Sequence, residues 1–63
     1  MNIKQVEQRT KELEFLWNTY HNKDVCKFLI NRLSTDIVFF LGQKLPQNLE
    51  ERLDKLDGEI NDN

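Results

Sequence analysis

Two side chains in this 63-residue chain have the chemistry of a nucleophile, a base or a soft metal ligand: Cys26, its single cysteine, and His21, its single histidine. A thiol acts as a nucleophile when a base lies within hydrogen-bond reach, and a thiolate with an imidazole makes half of a zinc site. The two residues stand five apart. On a helix that spacing sets them about 140° apart around the axis, so they point to different sides. Cys26 falls among apolar residues at helical spacing, where a small core residue is expected. His21 lies between Tyr20 and Asn22 at an expected turn, where a solvated or capping role is expected. Glu50 and Glu51 form a carboxylate pair, but after Asn48 they read as first-turn helix residues that complement the helix dipole. Ser34 and Thr35 have no triad partners at telling spacing, and no glycine-rich phosphate loop is present. No convergent set of polar groups emerges, so the expectation is no enzyme, no cofactor and no metal.

Cationic residues offer a second chemistry. Lys4, Arg9, Lys11, Lys23, Lys27 and Arg32 lie in the first half of the chain, and residues 1–33 carry a net charge of +2 against −4 for residues 34–63. A small helical DNA- or RNA-binding regulator that uses these six residues is therefore an alternative reading. Against it stand a pI of about 5.2 and an apolar "DIVFFLG" where a recognition helix would need polar or basic side chains.

What positions these groups follows from periodicity. Ile3, Val6, Leu13, Trp17 and Tyr20, with Thr10 between, repeat at three and four residues, which predicts a helix over about 2–20. Cys26, Leu29, Ile30, Leu33, Ile37 and Phe40 make a second stripe, with Leu41 at its edge, for a helix over about 23–41. Asn22 is its expected cap, and Asp24 sits favourably in its first turn. In one continuous helix the second stripe would lie roughly 160° around from the first. A turn at residues 20–23 removes the conflict by folding the stripes together. Gly42 is the expected stop, as a residue at ease in the left-handed conformation. Asn48 then reads as the cap of a short amphipathic helix over about 48–58, with Glu51 completing a capping box and Leu49, Leu53, Leu56 and Ile60 on one stripe. Residues 61–63 are expected to fray.

The fold class is thus all-α, a helical hairpin plus a short third helix, in a single domain over residues 1–60. A strand at "IVFFL", suggested by its β-branched and aromatic residues, would have nothing to pair with inside a helical chain. A chain this short buries only about 60% of its unfolded surface. A lone cysteine forms no internal disulfide, so a second subunit is the expected support. A homodimer, packed as an oligomeric helical bundle, is therefore expected.

The stretch "IVFFL" places apolar groups on every side of a helix. Ile37 and Phe40 belong with the main stripe. Phe39, with Phe28 and Val25, forms a second ridge, which the third helix or another subunit is expected to cover. Phe15, on the far side of the first stripe, is the leading recognition residue. Trp17, Tyr20, Phe28 and Phe39 are further candidates, with core packing as their competing role. The N-terminus has no signal-like apolar run, and the run at 37–41 is far short of the roughly 20 residues of a membrane span. The third helix presents an acidic face, the wrong sign for anionic lipid. The expectation is a cytoplasmic, non-enzymatic interaction protein that self-associates and acts as a regulator, inhibitor or assembly factor by binding another protein, with no membrane contact.

Overall fold

The computed structural model describes residues 1–61. Three helices follow one another: α1 (Ile3–Tyr20), α2 (Lys23–Asp36) and α3 (Gln47–Asn61), and α2 runs straight on into a π-helical turn, Ile37–Leu41. The described residues contain no strand, and they fill an envelope of 30 × 18 × 17 Å. The all-α reading and the hairpin hold. Among the described residues, no helix is long and apolar enough to cross a membrane.

Each helix end has a local chemical cause. Asn2 caps α1: its side chain accepts from the Gln5 amide while the Gln5 side chain accepts from the Asn2 amide, both at 2.9 Å. This reciprocal pair satisfies two of the donors a helix start leaves open. At the other end of α1, His21 takes a left-handed conformation with φ of 52° and donates its amide to the Leu16 carbonyl. The Asn22 side chain then accepts from the Val25 amide at 3.2 Å and starts α2. The chain reverses in these two residues, and the two stripes meet. Gly42, with φ of 69°, ends the π-helical turn in the left-handed region, where a side chain would be strained.

The core draws on every element: Val6, Leu13 and Trp17 from α1, Cys26, Ile30 and Leu33 from α2, Leu41 from the π-helical turn, and Leu49, Leu53, Leu56 and Ile60 from α3. Thr10 is fully buried among them, and its hydroxyl donates to the Val6 carbonyl at 2.7 Å, so no polar group is stranded. Polar bonds close the seams. Arg9 reaches Asp36 at 2.8 Å between α1 and α2. Arg52 clasps Glu14 between α3 and α1 through two of its nitrogens, and the Trp17 indole donates to Glu59 at 3.1 Å.

Three expectations need correction. Phe40 is not part of the buried stripe: it is 65% exposed, and Leu41 is 6% exposed in its place. The cause is the π-helical turn. A hydrogen-bond reach of five residues widens the turn, so each residue advances by roughly 80° rather than 100°. By residue 41 this lag has brought Leu41 inward and left Phe40 to the side. The third helix also begins earlier and runs longer than expected. The Pro46 carbonyl accepts from the Leu49 and Glu50 amides, so the helix starts at Gln47 and Asn48 is not its cap. It continues past Gly58 through Asn61 because Ile60, fully buried, belongs to the core. Asn61 is accordingly helical, while the rest of the expected frayed tail, residues 62 and 63, lies outside the described residues. Finally, α3 does not cover the second ridge of α2, and that ridge is the most conspicuous feature of the surface.

Candidate interaction surface

The core closes without most of the aromatic residues. Phe28 is 65% exposed and Phe39 73%. With Phe40 they form an aromatic face along the outer side of α2 and its π-helical end. At about 100° per residue, Phe28, Thr35 and Phe39 fall within about 40° of one another, opposite the buried stripe of Cys26, Ile30 and Leu33. The two neighbouring helices pack on the stripe side, so these rings stay about two-thirds exposed. Val25 and Val38 are exposed on the flanks.

The centre of this face is polar but satisfied. The Thr35 hydroxyl donates to the Asn31 carbonyl at 2.9 Å. Asp36 is shared by two guanidiniums, Arg9 at 2.8 Å and Arg32 at 3.4 Å. The hydrogen bond from Arg9 holds its carboxyl below the usual carboxylate range, helped by the charge of Arg32 and opposed by partial burial. Beside it runs an open groove lined by Met1, Gln5, Gln8, Arg9, Arg32, Asp36 and Phe40.

The other sequence candidates separate. Trp17 is a core residue, stacked on His21 with ring centres 3.8 Å apart, so it offers no free surface. Phe15 and Tyr20 are both exposed and meet edge to face at 6.5 Å, a second and smaller aromatic feature on α1. Tyr20 also borders a groove with Leu16, Asn22, Val25 and Cys26. Phe40, assigned to the buried stripe by periodicity, is exposed because of the π-helical turn, which no residue type announces; Val38 lies on a side that a regular helix already leaves open.

The residues weighed for chemistry do not converge. The Cys26 thiol is buried, and burial pushes its pKa up, away from the reactive thiolate. His21 turns its ring onto Trp17, with Nδ1 3.3 Å from the Trp17 carbonyl. Among the described residues, no group of three or more His, Cys, Asp or Glu side chains could hold a metal ion. Of the six cationic residues, Arg9 and Arg32 share Asp36, and Lys11 lies 3.8 Å from Glu7. At least half of that set is thus already engaged with carboxylates. Lys4 and Lys27 are exposed, and Lys23 is half-buried.

Compared with known proteins, the chain shows no significant match to a family model, a curated sequence or a solved structure.

Proposed function

We propose that this chain is a non-enzymatic helical interaction protein whose working surface is the outer face of α2 and its π-helical end. One observation carries the reading. The three-helix core is complete, yet Phe28, Phe39 and Phe40 remain about two-thirds exposed. Three rings of about 200 Å² each, exposed to that degree, present on the order of 400 Å² of apolar surface. The rings stand in two groups about 16 Å apart along one helix face, and together they match in area the apolar patches that are commonly functional on small proteins. Aromatic side chains also supply most of the energy at interfaces, because they bring large area at little cost in side-chain freedom. Self-association, and regulation of a further partner by covering its surface, both follow from such a face.

The experiment compares wild type with a Phe28→Ser/Phe39→Ser/Phe40→Ser variant. Circular dichroism should show unchanged helix content and a cooperative melt for both, because none of the three rings belongs to the core. Association, with itself or with proteins captured from the native host, should be lost in the variant alone. A variant that unfolds would mean that the rings are structural, and the reading would fall.

A further inference from the structure

We infer that the aromatic face is occupied by a second copy of the chain, in an antiparallel two-fold pairing of α2 on α2 that sets Phe28 of each copy against Phe39 of the other. The inference rests on the interaction role proposed above and names the occupant.

The argument begins with symmetry. A two-fold interface must be self-complementary: if residue i meets residue j, then j meets i. Phe28 and Phe39 stand eleven residues apart, about 16 Å along the helix, on the same outer line. An axis placed midway, between Leu33 and Ser34, brings each ring onto the other kind in the partner copy. The same register places Arg32 level with Thr35 of the other copy rather than with its own symmetry mate. The charges of the face are therefore kept off their own symmetry mates.

The centre of the face can be buried at Thr35 while Arg32 stays at the rim. Thr35 already donates to Asn31, and Arg32 is already paired with Asp36. Burying Thr35 leaves its hydroxyl donor met, while the Arg32 guanidinium, whose side chain is 64% exposed, keeps its remaining N–H groups in water at the rim. Area agrees. Two copies contribute on the order of 800 Å² of apolar surface from the three phenylalanines. A specific interface needs about 1,200 Å² in total, and homodimer interfaces are about 65% apolar. The rims supply the remainder.

The test uses two single variants of the full chain, Phe28→Asp and Phe39→Lys. Both positions are exposed, so both variants should fold, which circular dichroism checks. In sedimentation equilibrium, wild type should reach twice its 7.6 kDa mass. Phe28→Asp alone should raise the dissociation constant at least about thirtyfold, the effect of losing an interface hot spot. An equimolar mixture of the two variants should form a heterodimer tighter than either variant alone. It restores one Phe28–Phe39 contact, and at the other it sets the introduced carboxylate against the introduced ammonium. Parallel pairing cannot restore either. A wild type that stays at 7.6 kDa up to millimolar concentration overturns the inference, as does a mixture no tighter than its components. Binding of a monomeric wild type to anionic vesicles overturns it in favour of a lipid surface. In those cases the interaction role keeps its own test, because the triple serine variant reads loss of any partner.

Discussion

Phe40 and Leu41 are neighbours with opposite fates: the ring is 65% exposed and the leucine 6%. A regular α-helix would place both near the edges of the buried stripe. The π-helical turn at Ile37–Leu41 decides between them.

Leu41→Ala should therefore leave a cavity and cost about 2–5 kcal/mol. Phe40→Ala should change stability by no more than about 0.5 kcal/mol at concentrations where the chain is monomeric. This reverses the expectation from periodicity alone, which placed Phe40 in the core. Urea unfolding of the two variants decides the matter, with equal losses as the contrary result.

The two glycines should respond with opposite signs. Gly42 has a positive φ of 69°, so Gly42→Ala should destabilise by about 1 kcal/mol through backbone strain. Gly58 lies inside α3 with open space where a Cβ would sit. Gly58→Ala should stabilise by roughly 0.5–1 kcal/mol, because alanine is the better helix former. Thermal melts of both variants would show the midpoint moving down for the first and up for the second.

Asp36 gives the fold an acid-sensitive joint. Its carboxyl is held below the ordinary range chiefly by the Arg9 hydrogen bond. A depressed folded pKa means that the contribution is full above the unfolded value of about 3.9 and is lost as pH falls through the folded value. The stability gap between wild type and Asp36→Asn should be constant from neutral pH down to about pH 5 and shrink below about pH 4. A gap that persists unchanged to about pH 2 would show that the ion pairs with Arg9 and Arg32 contribute nothing.

Cys26 should be a reporter of unfolding. It is 1% exposed and its thiol is pushed up by burial, and only the thiolate reacts. Alkylation by iodoacetamide in native buffer should be far slower than in denaturant, and it should accelerate in Leu41→Ala. Rapid native labelling would contradict the packing of α2 against its neighbours.

Much of this architecture was legible in residue spacing. The hairpin followed from the mismatch between two apolar stripes, and Asn22 and Gly42 marked their turns by conformational preference. Ile60 belonged to the stripe of Leu49, Leu53 and Leu56, and its burial carries α3 past the glycine that had read as its end. The Asn2–Gln5 capping pair carries the same signature as Asn48–Glu51, a cap residue followed three positions on by Gln or Glu just ahead of an apolar residue, and periodicity alone passes over it. The surface was harder. A stripe says which residues share a side of a helix, but not whether a neighbour reaches that side. Phe28 and Phe39 were correctly grouped on one ridge, yet α3 packs elsewhere. Phe40 was misplaced because helical wheels assume a constant advance per residue, and the π-helical turn breaks that assumption within five positions.

The segment Ile37–Leu41 also has a life outside the native state. Five uncharged residues, four of them β-branched or aromatic, with no proline, have the composition of a steric zipper. While they are helical their backbone amides are bonded within the chain, and only the carbonyls of the last turn stay open to a neighbour. Asp36 on one side and Lys44 beyond the other act as charged gatekeepers. Each excursion to the unfolded chain removes the first protection and leaves only the second. The same side chains that the proposed contact would use when folded thus favour irreversible aggregation when unfolded. Longevity in solution is therefore governed by how seldom α2 opens at its C-terminal end.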